Sequence, residues 1–257
     1  MKAKLYGNIT RPALIMSGSW DPVLPEHVTL IDRLVQDAHS KSLDAVIVMF
    51  DPAPSSFVLR RTRPGSTWIT YNDADVNMRI FLRRGVDAVL KISFKEEYLD
   101  LGVAELFESI TEHVEVTEFW FGARQRFGNG SNGSQATLIK FARENGIRLR
   151  RLANQKLEER SYLVRSQLQE GQILSAFDVA RVPPIRARPS TGKLNLPWAP
   201  GTYAAIPLHD LPHQLILKPR PQIAVELEAS KLGAQLTWPD PNMEFLAFVA
   251  GPADGLG

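Results

Sequence analysis

The chain has 257 residues, 30 Lys and Arg against 28 Asp and Glu, and no cysteine. That length buries a full core and fits two modest domains as well as one large one, while a formal charge of +2 gives no ground to expect a nucleic-acid partner. Without cysteine there are no disulfides, thiolate catalysis or zinc–thiolate sites. The residues from Met1 to Gly7 lack an apolar stretch of signal-peptide length, and no apolar run approaches the ~20 residues of a bilayer span, so we expect a soluble, cytoplasmic protein with no membrane partner.

In chain order, Ala13 to Met16 reads as a buried strand. Gly18-Ser19-Trp20-Asp21-Pro22 then supplies turn chemistry, and Pro25 suits the first position of a helix. His27, Ile31, Leu34, Val35 and Ala38 follow at spacings of three and four, one side of that helix. A strand, a small-residue turn and a helix start form an anion site, because free backbone N–H groups and the positive dipole end face one point.

Ala45 to Phe50 is a second buried strand, and Asp51-Pro52-Ala53-Pro54 turns the chain out of the sheet. Residues 88–94, 114–121 and 147–152 read as strands; 73–84, 103–112 and 135–145 have helical periodicity, with Gly85 and Gly146 as C-caps. Alternating helices and apolar strands predict a doubly wound parallel α/β sheet covered on both faces. The loops spanning 19–27, 51–63 and 122–133 all follow strands, so they should converge at its carboxyl edge, where ligands of such sheets bind.

Nine of the eighteen prolines lie from Pro183 to Pro221, and helical periodicity stops there. Residues 204–206, 215–217, 223–227 and 245–250 are short strand candidates. We therefore expect one domain over 1–183 and a small β-rich module over 184–257. Neither a Gly-x-x-x-x-Gly-Lys-Ser/Thr phosphate loop nor a Gly-x-Gly-x-x-Gly fingerprint is present.

Several motifs, in order, resemble one family. Gly18-Ser-Trp-Asp-Pro-Val-Leu-Pro-Glu-His27 resembles the Gly-x-Phe-Asp-x-x-His/Thr-x-Gly-His signature of the nucleotidyltransferase superfamily. Met49-Phe-Asp-Pro-Ala-Pro54 is similar to the Thr-Phe-Asp-Pro-His-Pro of bacterial FAD synthetases, the bifunctional riboflavin kinase/FMN adenylyltransferases. Gly85-Val-Asp-Ala-Val, Phe94-Lys-Glu-Glu-Tyr-Leu and Ala104-Glu-Leu-Phe107 follow that family's central region. Gly122-Ala-Arg-Gln-Arg-Phe-Gly128 parallels Gly-x-Asp-Phe-Arg-Phe-Gly, and Ser161-Tyr-Leu-Val-Arg165 stands in the place of Ser-Ser-Thr-x-Ile-Arg. The likeness runs over about residues 12–182.

The resemblance implies a Rossmann-like nucleotidyltransferase domain that transfers AMP from Mg·ATP to FMN and releases pyrophosphate. It assigns His27 and Arg165 as catalytic phosphate ligands and Gly18, Ser19, Trp20, Asp21, Ser161 and Arg165 as nucleotide-binding. Phe50, Pro52, Arg60, Arg126, Phe127 and Gly128 fall to the flavin or other phosphate acceptor; the magnesium comes with the nucleotide and no protein metal site is expected. This sequence departs from the pattern at Leu24, Glu26, Ala53, Arg124, Tyr162 and Leu163. Leu24 and Ala53 stand where the family has His or Thr, and Glu26 brings negative charge toward a triphosphate. Losing one transition-state donor costs ~10²–10³ in rate.

The family's kinase module carries Gly-x-Pro-Thr-Ala-Asn and then Pro-x-x-Gly-Val-Tyr, where this chain has Ser190-Thr-Gly-Lys-Leu-Asn195 and Pro200-Gly-Thr-Tyr203. We expect no riboflavin kinase activity and a truncated, degenerate module. Two functions follow: a divergent FAD synthetase-like nucleotidyltransferase, or a non-catalytic flavin- or nucleotide-binding relative acting as sensor, carrier or partner subunit. Gly18-Ser-Trp-Asp-Pro also resembles the phosphopantetheine adenylyltransferase form of the motif, so another phosphate acceptor is a third reading. Plain structural roles compete throughout: Asp21 bonding backbone in its turn, Arg60, Arg61 and Arg63 on a solvated loop, and Trp20, Trp68 and Trp120 in the core.

Overall fold

A computed structural model describes residues 1–18, 20–123, 125, 135–152, 157–181, 184–187, 189, 193–196, 198–208, 223–230, 233–237, 239–240 and 244–254. By packing, the chain forms two units. The first comprises Met1–Trp20, Thr29–Ser66 and Phe81–Gln155; the second comprises Asp21–Val28, Thr67–Ile80 and Lys156–Gly257.

The first unit holds a six-stranded sheet of β1 (Ala3–Gly7), β2 (Ala13–Gly18), β3 (Asp44–Asp51), β4 (Ala88–Ser93), β5 (Val116–Gly122) and β6 (Arg148–Leu152). Their order is β1-β4-β3-β2-β5-β6. Strands β2 to β6 run parallel, and β1 pairs antiparallel with β4 at the edge. Fully apolar runs such as Ala45 to Val48, all 0 % exposed, are what a sheet covered on both faces demands. One layer packs α4 (Val103–Thr111) and α5 (Gln135–Glu144) through Phe107, Ile110, Leu138 and Ala142 onto Val46, Val48, Leu90 and Phe119.

The strands and helices foreseen in the first 152 residues are present within one or two residues of their expected ends. Among the described elements of that stretch, the helix of residues 54–62, β1 and a 3-10 turn at Glu96–Asp100 were not foreseen. Residues 54–62 form α2 (Pro54–Thr62) where a loop was expected, with Pro54 at its start and Phe57 giving it a buried anchor. Edge strand β1 rests on pairing with β4, a long-range contact with no local signature. Gly85 and Gly146 take φ of +88° and +67°, the left-handed geometry that ends α3 (Ala74–Arg83) and α5.

The second unit contains α6 (Leu157–Gln169), α7 (Ile173–Ala180) and an antiparallel sheet ordered β7-β12-β9-β10-β11-β8. These strands are β7 (Ile185–Ala187), β8 (Lys193–Leu196), β9 (Gly201–Leu208), β10 (Ile223–Ser230), β11 (Gly233–Thr237) and β12 (Phe245–Ala250). Strand candidate 215–217 lies outside the described residues. Trp198, Tyr203 and Phe248 form an aromatic triad with centroids 5.0 to 5.9 Å apart. Their core also takes in Val164, Leu168 and Ile173 of α6 and α7, and Leu24, Ile69 and Tyr71 from the two earlier segments. Packing thus groups the two helices before residue 184 with the β-rich segment.

In the first unit Asp44, 1 % exposed, accepts the Thr10 and Arg11 backbone N–H groups at 2.6 and 2.8 Å and the Arg11 Nε at 2.7 Å. These donors hold its carboxyl below the ordinary carboxylate range against the opposing effect of burial. Asp44→Asn therefore destabilises the protein by about 2 kcal/mol in denaturant unfolding at pH 7, the scale of hydrogen bonds to a charged acceptor. Unchanged unfolding would show that the carboxylate is dispensable.

Candidate active site

In the first unit the strand order reverses beside β2: β3 and β4 lie on one side, β5 and β6 on the other. The carboxyl ends of β2 and β5 flank that switch point, the place where open parallel sheets bind ligands. Gln125 bridges them. Its Nε2 donates to Ser17 Oγ at 2.6 Å and its Oε1 accepts the Gly122 N–H at 3.2 Å.

Trp20 follows in a left-handed conformation, φ +53°. Its indole folds back on Gly18, where a Cβ would meet ring carbons at 3.0 to 3.3 Å. The indole N–H donates to the Val48 carbonyl at 3.1 Å, and the ring meets Phe81 edge-on at 5.4 Å. At 3 % exposure the side chain is buried and braces the turn.

At the end of β3, Phe50 is half-buried against Phe94, which also packs on Phe57 and Tyr98 with centroids 5.6 to 5.8 Å apart. Pro52 is exposed beside them. Arg60 lays its guanidinium 4.5 Å over the Phe57 ring. Arg61 is held by Glu96 and Asp100 at 3.0 and 3.1 Å, so α2 is pinned to the Glu96–Asp100 turn. Phe50 and Arg60 thus share one aromatic nest. Ser19, Arg126, Phe127 and Gly128 lie outside the described residues.

In the second unit the motif's remaining residues form a self-bonded turn. Asp21 Oδ1 accepts the Tyr71 and Asn72 N–H groups at 2.9 and 2.8 Å, and Oδ2 lies 3.0 Å from the Tyr71 N. Burial raises the Asp21 carboxyl above its ordinary range, opposed by the charge of Arg165, the two N–H groups and Arg186. Arg165 Nη1 donates to the Asp21 carbonyl at 2.7 Å, and its guanidinium stacks 4.3 Å over Trp68. Ser161 is buried on the same helix.

His27 sits in the first turn of α1 (Pro25–Ser40). Its Nδ1 accepts the Leu24 N–H at 3.0 Å, capping a helix donor, and a ring N–H bonds the Pro22 backbone. Burial lowers its pKa to about 4, so the imidazole is neutral at pH 7. Leu24 is 0 % exposed in the unit's core. Glu26 pairs with Arg160, which also donates to the Val179 carbonyl at 2.9 Å.

The structure therefore brings together Asp21, Arg165 and His27 in one unit, and separately Gly18 with Trp20 and Phe50 with Arg60. Sequence reasoning missed Gln125, Tyr71, Asn72, Arg160 and Arg186. The Asp21 partners are backbone groups 50 residues away and carry no side-chain signature.

A family model described as FAD synthetase matches residues 8–166, more than half of the chain. The chain belongs to the FAD synthetase family. No curated protein sequence matches it. Among solved structures, the crystal structure of a macrolide-efflux protein from Streptococcus pneumoniae is similar, with a TM-score of 0.63 over 95 % of this chain and 88 % of that one. At 17 % identity that likeness concerns the fold. For this FAD synthetase family member no described helix is long and apolar enough to cross a membrane.

The bonded His27 makes stability pH-dependent. Its folded pKa of about 4 lies below the ordinary 6.5, so as pH falls the unfolded chain takes up the proton first and stability is lost between those values. The full shift is worth up to about 3 kcal/mol. Unfolding free energies at pH 7 and 4 should converge more for His27→Gln than for the wild type; equal losses on acidification would show that the imidazole is not buried.

Proposed function

We propose that this FAD synthetase family member transfers AMP from Mg·ATP to FMN or a related phosphate acceptor, without riboflavin kinase activity. The observation that carries the reading is the switch-point end of β2, where Gly18 leads directly into a turn and a helix start within a chain segment of this family. The division of labour proposed is a nucleotidyltransferase domain over 1–183 and a reduced, kinase-like β module over 184–257. The setting proposed is cytoplasmic, with a nucleotide and a flavin as small-molecule partners.

An acceptor phosphate oxygen attacks the α-phosphorus in line, the α–β bridging P–O bond breaks, and pyrophosphate leaves with the electron pair. Positioning and charge neutralisation do most of this work. Backbone N–H groups of the 21–27 turn hold phosphate oxygens, as a helix N-terminus does. His27, released from the Pro22 backbone, gives a neutral ring N–H to a phosphate oxygen, and Arg165 sets the turn. Among the described residues no group of three or more acidic or histidine side chains is placed to hold a metal; magnesium enters as part of the nucleotide. Phe50, Pro52 and Arg60 supply an apolar and cationic surface for a flat, phosphate-bearing acceptor.

A second reading is favoured by particular residues. Leu24 sealed in the core, Glu26 paired with Arg160 and His27 bonded within its own turn describe a loop committed to the fold. A non-catalytic flavin- or nucleotide-binding protein that works with a protein partner would need no more.

Purified protein with Mg²⁺, FMN and each NTP in turn separates the two by pyrophosphate release and flavin dinucleotide formation. Turnover that drops ~10²–10³-fold in His27→Ala supports transfer. Saturable binding without turnover selects the second reading, and neither binding nor turnover ends both. Riboflavin with ATP should yield no FMN; its formation would refute the proposed loss of kinase activity.

A further inference from the structure

The second unit contains a polar cluster that the chemistry above leaves unused. Asn72 and Asn77 are each 1 % exposed and Arg186 is 2 % exposed. Asn72 Oδ1 accepts the Ile185 N–H of β7 at 2.8 Å, and its Nδ2 donates to Asn77 Oδ1 at 3.2 Å. Arg186, the next residue of β7, donates from Nη1 to Asp73 Oδ1 at 2.9 Å and from Nη2 to the Thr70 carbonyl. Its guanidinium lies 5.0 Å from the Trp198 ring centroid.

Residues 70–73 are therefore gripped from one side by β7. On the other side the N–H groups of Tyr71 and Asn72 hold the Asp21 carboxylate at the head of the 21–27 turn. Burying an arginine and two asparagines is a poor way to add stability, since apolar residues of like volume do as well. What such bonds to named backbone groups do is hold one backbone geometry, and they do so here although the buried Arg186 Nε has no partner among the described residues. The geometry fixed here is that of the segment that orients Asp21. Asp21 in turn begins the turn in which His27 caps the Leu24 N–H.

We propose that Asn72 and Arg186 are positioning residues for phosphate binding at the 21–27 turn of the second unit, through which β7 of the C-terminal sheet sets the turn's shape. The proposal rests on the phosphate-binding reading of that turn. It gives the reduced β module a purpose other than kinase chemistry: its first strand completes the support of the nucleotide loop.

The test uses the full chain with Asn72→Ala and Arg186→Lys, the second retaining the charge but losing the fork that reaches Asp73 and Thr70 together. Asp44→Asn, in the first unit, serves as a control with a comparable loss of stability. Three quantities are read: melting temperature, the pH midpoint of the His27 imidazole by carbon-13 NMR, and the Kd values of Mg·ATP and FMN. Both cluster variants should raise the His27 midpoint from about 4 by about one unit as the turn loosens and hydrates. They should weaken Mg·ATP binding about 10-fold, the scale of one buried hydrogen bond, and leave FMN within twofold.

Asp44→Asn should lower the melting temperature and change neither the midpoint nor the Kd. Wild-type midpoints in the cluster variants overturn the positioning role, and an unchanged Mg·ATP Kd beside a shifted midpoint overturns its link to phosphate. A wild-type chain that binds no Mg·ATP refutes the phosphate reading instead, while the His27 titration still decides whether β7 shapes the turn. Should Arg186→Lys fail to fold, Asn72→Ala, which leaves the ion pair intact, decides alone.

Discussion

The buried carboxylate of Asp21 is the constraint on which the second unit's site depends. Taking a carboxylate out of water costs several kcal/mol unless its lone pairs are met. Here two backbone N–H groups from residues 71 and 72 meet them, and Arg165 and Arg186 add opposite charge. Those partners lie 50 and 51 residues along the chain, so the turn is shaped by tertiary structure and not by its own sequence. Tyr71, 0 % exposed, is affected in return: burial first and the Asp21 charge second raise its phenol well above the ordinary range.

That dependence explains what becomes of the family's motif positions. A histidine or threonine at residue 24 would place a polar group in an apolar core, and leucine fits there with Tyr71, Val164 and Trp198. With leucine buried, the His27 ring is drawn to the Leu24 N–H, three residues back, as a capping side chain. Glu26 finds Arg160 on α6. The departures at Leu24 and Glu26, which look like lost phosphate ligands, each have a structural partner. The phosphate contact proposed for this stretch therefore falls chiefly to backbone N–H groups, which no substitution at 24 or 26 removes.

Much of the first unit was legible in its sequence. Apolar runs such as Ala45 to Val48 and helices closed by Gly85 and Gly146 obey local rules, and the parallel order follows from their alternation. The helix of residues 54–62 was not legible, because Asp51-Pro52-Ala53-Pro54 carries turn chemistry and the helix depends on Phe57 packing under it and Arg61 reaching Glu96 and Asp100. In the site, Asp21, His27 and Arg165 stood out through the motifs that resemble the family. Their partners Tyr71, Asn72 and Arg186 did not, since a backbone donor leaves no mark at a fixed distance along the chain, and Trp68, expected in the core, stacks on Arg165. Trp20 stood out as well, yet its side chain works as a brace against Val48 and Phe81.

Amide hydrogen exchange with and without Mg·ATP addresses the central claim most directly, because it reads the backbone groups themselves. Phosphate held by the turn predicts slowed exchange in peptides covering residues 18–28 on adding Mg·ATP, retained in His27→Ala. Saturating nucleotide that leaves exchange across 18–28 unchanged, or protects only segments elsewhere, would contradict it.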